Sequence, residues 1–179
     1  EHFYFFDRTS RTAANRHTVI LDVDQSGSMG ESVIYSSVIS CILASIASVK
    51  TRIVAFDTKV TDLTEQCEDP VDLLFGFQLG GGTDIGGALR YCETLIEAPA
   101  RTIVVLVSDL YEGVSQANMY GAVKDIVESG ARLVALTALD RQADPVYDRN
   151  AAEKMARLGA HVGAMTPEQL AEWMGKIIA

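Results

Sequence analysis

The chain predicts an α/β fold, a central and mostly parallel sheet of six strands with one antiparallel edge strand and helices on both faces. Two observations carry the expectation. Apolar residues come in short unbroken runs, Thr18 to Val23, Arg52 to Phe56, Ile103 to Val107 and Leu133 to Leu139, rather than in alternation. Unbroken runs of that length fit strands buried on both faces, as in a parallel sheet covered by helices. Helical patterns stand between the runs, so strand and helix alternate along the chain.

After the first run a helix is expected over Glu31 to Val49. The second run turns back at the polar break Asp57-Thr58-Lys59, and Val60 to Leu63 completes a short antiparallel edge hairpin. Asp84 to Ile96 reads as the helix before the third run, and Ser115 to Ser129 as the helix after it, with Gly130 as its stop. The tail adds a helix over Asn150 to Leu158 ended by Gly159, and a weak last strand over His161 to Ala164. A final helix opens with the capping box Thr166-Pro167-Glu168-Gln169. Residues 17–179 form one domain in this reading. Residues 1–16 differ in kind, because the adjacent aromatics Phe3, Tyr4, Phe5 and Phe6 cannot all stay in water. An edge strand, or packing on a region upstream, is expected of them, with a partner-docking strand as the sharper alternative. A start at Glu1 with no signal-type apolar core reads as a piece of a longer protein.

Composition excludes several functions. Among 179 residues, 15 Lys and Arg stand against 24 Asp and Glu, a net charge of −9. Nucleic acid is therefore excluded as the main ligand, since phosphate binding needs a surplus of basic side chains. With 48% hydrophobic and 22% charged residues the chain is globular, and at this length about 70% of the unfolded surface is buried on folding. Cys41, Cys67 and Cys92 form no CxxC pair, so they spell neither a zinc knuckle nor a disulfide framework. Reduced thiols and a cytoplasmic location are expected. Ser32 to Val49 carries no charge over 18 residues, long enough to test as a membrane span. Its six serines suit a helix buried inside protein, and no membrane partner is expected.

Candidate chemistry gathers at strand ends. The first strand runs into Asp22-Val23-Asp24-Gln25-Ser26-Gly27-Ser28, and the third ends in Val107-Ser108-Asp109. Ligands of open α/β sheets sit outside the carboxyl ends of strands where the strand order reverses. If these two strands are neighbours, Asp24 and Asp109 converge, and paired carboxylates repel unless a cation or proton lies between them. The run Gly80-Gly81-Gly82 brings Thr83 toward the same crevice. Asp24, Ser26, Ser28, Thr83 and Asp109 are all oxygen donors, which suits Mg²⁺, Mn²⁺ or Ca²⁺ rather than zinc. With only two charged ligands, such an ion stays electrophilic and attracts an acidic group from outside.

The order Asp24-x-Ser26-x-Ser28, then Thr83 after a glycine run, then Asp109, resembles the metal-ion-dependent adhesion site of von Willebrand factor A (VWA) domains, over roughly residues 17–179. The resemblance implies a Rossmann-like sheet. It makes Asp24, Ser26 and Ser28 first-loop ligands of Mg²⁺, Thr83 the second-loop ligand, and Asp109 a third-loop ligand often acting through water. The metal then takes a Glu or Asp from a partner protein, with Asp84, Tyr111 and Glu112 on the rim. The wording Leu79-Gly80-Gly81-Gly82-Thr83-Asp84 and Ser108-Asp109-Leu110-Tyr111-Glu112-Gly113 is similar to bacterial CoxE-like proteins. That group implies a MoxR-type AAA+ ATPase or its client as partner, in metalloenzyme maturation or the remodelling of complexes. Asp22 departs from the apolar residue usual two places before the first ligand.

No catalytic residue is assigned, and two other readings stand beside this one. Asp22-Val23-Asp24 also resembles the first motif of haloacid-dehalogenase-type phosphatases, with Asp22 as nucleophile, Asp24 as general acid and Ser108 as second-motif hydroxyl. Lys124, Asp140 and Asp144 would have to complete it, and Ser28 and Thr83 would go unused. An extracellular adhesion domain is the other reading. The glycine run lacks both GxGxxG after a strand and a Walker lysine. None of His2, His17 and His161 is placed to serve a serine nucleophile.

Overall fold

The computed structural model describes residues 16–66, 80–139 and 145–178. The expectations for residues 1–15, Cys67, Leu79, Asp140 and Asp144 lie outside them. Six strands, β1 (His17–Asp24), β2 (Val49–Phe56), β3 (Val60–Asp62), β4 (Thr102–Ser108), β5 (Arg132–Thr137) and β6 (His161–Gly163), form one sheet. Their order is β3-β2-β1-β4-β5-β6, with β3 antiparallel to β2 and every other pair parallel. The expected class and the antiparallel edge hairpin are therefore present.

Among the described residues five α-helices cover the sheet: α1 (Val33–Ser45), α2 (Ile85–Thr94), α3 (Gln116–Glu128), α4 (Arg149–Arg157) and α5 (Pro167–Ile178). Alternation along β1 divides the core. Val19, Leu21 and Val23 pack with Ile39 and Leu43 of α1 and Leu170 and Met174 of α5. Ile20 faces the other layer, with Leu89 of α2, Val123 of α3 and Met155 of α4.

Helix ends follow their capping residues. The carboxylates of Asp84 and Asp148 accept from the amides of Gly87 and Ala151, and Ser115 Oγ accepts from Asn118. The capping box of α5 is reciprocal, Thr166 N donating to Gln169 Oε1 at 2.9 Å and Gln169 N to Thr166 Oγ1 at 3.3 Å. Gly130 and Gly159 stop α3 and α4 at φ of 96° and 104°, backbone that other residues adopt at a cost.

Several boundaries differ from expectation. The helix expected over Glu31 to Val49 begins as a 3-10 turn over Gly27–Ser32 and ends at Ser45. Val49–Thr51 belong instead to β2 and pair with His17–Val19; the exposed Lys50 and half-buried Thr51 hide that strand start from an apolar pattern. β5 ends at Thr137, while Leu139 bridges to Pro145. The stretch Gly27–Ser45 is long and apolar enough, by length and composition alone, to cross a membrane. Here it lies on the sheet with Ser36, Ser37 and Ser40 buried. The Ser37 and Ser40 hydroxyls donate to the carbonyls of Val33 and Ser36 at 2.8 and 2.7 Å.

One carboxyl sits in the core. Asp22 is fully buried on the α2 side of β1, and neither of its oxygens has a hydrogen-bond partner. Burial, and then the charge of Asp24, push its pKa well above the ordinary carboxylate range, while the Cys92 thiol works the other way. The folded protein therefore keeps a proton that the unfolded chain gives up, and stability falls as pH rises above the unfolded value. Asp22→Asn removes that slope. Against wild type, the variant should gain about 1.4 kcal/mol per pH unit from about pH 4 up to the raised pKa, read as a widening gap between denaturation curves.

Candidate functional site

β1 lies between β2 and β4, and the chain leaves it through α1 on one face and returns to β4 through α2 on the other. That reversal opens a crevice at the carboxyl ends of β1 and β4. Asp24 closes β1, Ser108 closes β4, and Asp109 follows.

Asp24 is 1% exposed, and its two oxygens have separate partners. Oδ1 accepts from the amide of Ser26 at 2.9 Å, and Oδ2 from the hydroxyl of Ser108 at 2.6 Å. Ser26 Oγ and Ser28 Oγ lie 3.2 Å apart. Backbone bonds knit the glycine loop to this first loop, Gly80 N to Gln25 O and Gly27 N to Gly81 O, both at 3.2 Å. The third loop joins where Gly113 N donates to Thr83 O at 2.9 Å. Ser26, Thr83 and Asp109 are buried here, while Ser28 is exposed. The three loops that carry the five sequence-predicted residues thus meet at one end of the sheet.

The three rim candidates separate. Asp84 caps α2. Glu112 is a clamp: Oε2 accepts from Gly86 N at 2.9 Å, and Oε1 from Val114 N at 2.7 Å and Ser115 N at 3.2 Å, fastening the third loop to the first turn of α2. Tyr111, 49% exposed, projects to solvent. Between Asp109 and Tyr111 the buried Leu110 adopts φ 64°, a left-handed conformation that costs a non-glycine residue about 1–2 kcal/mol. Ser108 Oγ accepts its amide at 3.0 Å and Glu112 N donates to its carbonyl at 3.1 Å, which holds it there. Sequence reasoning missed Ser108 as the partner of Asp24; the hydroxyl beside Asp109 was the available signal.

Burial raises the pKa of Asp24 to about 6, against the hydrogen bonds from Ser108 and Ser26 and with help from the charge of Asp109. A cation would relieve both the burial and the repulsion. The donors present, two carboxylates and neutral hydroxyls, fit a hard divalent ion. Among the described residues no group of three or more His, Cys, Asp and Glu is placed to hold a metal, so hydroxyls would have to complete such a site. The phosphatase arrangement does not fit, because a nucleophile must reach its substrate and Asp22 is sealed in mid-strand. Lys124 lies on α3 and pairs at 3.8 Å with Glu128.

The family described as VWA domain containing CoxE-like protein matches residues 2–174. The uncharacterized protein YehP of Escherichia coli (strain K12) is 44% identical over 171 residues, which cover 96% of this chain and 45% of YehP. The chain thus spans less than half the length of that relative. Among solved structures, an aerotolerance-related membrane protein from Bacteroides fragilis superposes with TM-score 0.68 at 16% identity, covering 90% of this chain and 98% of that one. A von Willebrand factor type A protein from Catenulispora acidiphila gives 0.63 at 18% identity, covering 92% of this chain and 42% of that one. At these identities the likeness concerns the fold.

The clamp made by Glu112 has a measurable consequence. Glu112→Ala leaves three amides without their acceptor and should cost about 2 kcal/mol. Hydrogen exchange should quicken at Gly86, Val114 and Ser115 before it does in the sheet.

Proposed function

This chain belongs to the VWA domain containing CoxE-like family, and on that footing we propose that it is a protein-binding module whose site takes an acidic side chain of its partner through a divalent ion. Asp24 and Asp109 supply the negative charge, and the hydroxyls of Ser26, Ser28 and Thr83 complete the donor set. Mg²⁺ is the ion proposed, with Mn²⁺ or Ca²⁺ able to substitute, and it acts as a Lewis acid for a carboxylate. Two carboxylates just balance its charge, so it keeps its attraction for a Glu or Asp from outside. Ser108 positions Asp24, Glu112 holds the third loop, and Tyr111 borders the approach. The observation that carries this reading is the buried Asp24, whose oxygens accept from the Ser26 amide and the Ser108 hydroxyl, with the hydroxyls of Ser26 and Ser28 3.2 Å apart in the same loop. A MoxR-type AAA+ ATPase or its client is the partner we propose, with the cytoplasm as the location and an adaptor role in metalloenzyme maturation or complex remodelling.

Calorimetric titration with Mg²⁺ and Mn²⁺ tests the site. Asp24→Ala should abolish binding and Thr83→Ala should largely remove it, while Asp22→Asn should leave it intact. Ser108→Ala, which touches the ion only through Asp24, should weaken binding roughly 10- to 100-fold. Binding by Thr83→Ala equal to wild type, together with its loss in Asp22→Asn, would sink the proposal. Wild-type affinity should also fall as pH drops through about 6, where protons compete for Asp24.

A further inference from the structure

Beside the first loop lies a cavity of about 190 Å³ bordered by Ser26, Met29, Gly30, Val33 and Gly80. It adjoins a proposed ligand, Ser26, yet among the described residues no charged side chain lines it. Met29 and Val33, 2% and 9% exposed, give it an apolar wall. Small-molecule pockets hold roughly 300–1,000 Å³, so this one is the size of a single side chain. Gly30 is its notable member. An added Cβ there would meet nothing within 4 Å, and its backbone is not left-handed. Neither packing nor conformation therefore requires glycine, and a glycine costs a regular turn about 0.5–1 kcal/mol relative to alanine. What the missing side chain preserves is the open space.

We propose that this cavity is the second half of the partner site, receiving an aliphatic side chain two positions from the acidic residue in the partner's segment. Successive side chains of an extended segment point to opposite faces and alternate ones to the same face, about 6.6–7.2 Å apart, so a residue two positions from a carboxylate held at Ser26 reaches the neighbouring cavity. The occupant is a short extended protein segment in which Leu, Ile or Met stands two positions from Glu or Asp. This inference rests on the reading of the site as a receptor for a carboxylate.

The test uses three blocked peptides with saturating Mg²⁺: acetyl-Leu-Gly-Glu-Gly-amide, acetyl-Gly-Glu-Gly-Leu-amide and acetyl-Gly-Gly-Glu-Gly-amide. One leucine peptide should bind roughly tenfold more tightly than the glycine peptide, and only that peptide should shift the Met29 methyl resonance. Gly30→Leu fills the cavity and should erase the preference while leaving Mg²⁺ and glycine-peptide binding unchanged. Gly30→Ala, a smaller intrusion into open space, should reduce it in part. Equal binding of all three peptides, or a leucine preference that survives Gly30→Leu, overturns the inference and leaves the metal-carboxylate reading standing. Absence of binding by every peptide in a protein that binds Mg²⁺ overturns the carboxylate reading, and the inference falls with it.

Discussion

A carboxylate sealed at the end of the central strand has to be satisfied by its neighbours, and much of one end of this molecule follows from how Asp24 is satisfied. The amide of Ser26 takes one oxygen and the hydroxyl of Ser108 the other. Because Ser108 ends β4 and Asp24 ends β1, the second bond ties two loops at the point where the strand order reverses. The same hydroxyl accepts the amide of Leu110, so the third loop takes its direction from that contact. Two residues earlier on the same face of β1, Asp22 lacks any such partner and is held neutral among apolar neighbours. One strand thus carries two carboxyl groups whose environments set opposite roles. Asp24 is a polar group facing a crevice, and Asp22 is a core position.

Much of this was legible in the chain. Buried parallel strands announce themselves as unbroken apolar runs, and local hydrogen bonds as short-range residue pairs, so the main strands and the capping box at Thr166 could be read directly. The motif pieces placed Asp24 and Asp109 at strand ends and Thr83 on the glycine loop. What depended on tertiary approach was not legible. Glu112 reads as a solvent-facing acid, and only the fold shows that the amides of Gly86, Val114 and Ser115 converge on it. Asp84 carried a capping signal of its own, which its nearness to Thr83 obscured. The first residues of β2 were hidden because their pairing with His17–Val19 is set by register rather than by hydropathy.

The layer on the α1 side shows how far the first loop's support extends. The loop runs through a 3-10 turn straight into α1, whose Tyr35 hydroxyl donates to the carbonyl of Met165, just ahead of α5, at 2.7 Å. At the start of that helix, Ser32 Oγ donates to the carbonyl of Leu139 beyond β5 at 3.1 Å. Residues more than a hundred positions apart therefore brace one short loop. Serines serve this layer well, since a hydroxyl bonds across a contact or back to its own helix without holding the layers apart.

The left-handed Leu110 brings a different consequence. Its backbone belongs to the third loop, while its side chain belongs to the same cluster as Ile85 and Met119. The loop cannot unwind without drawing a leucine out of the core, so the position of Asp109 is indexed to how that core is filled. Repacking the interior therefore shifts Asp109, and related chains can reshape this crevice while every residue that lines it stays the same.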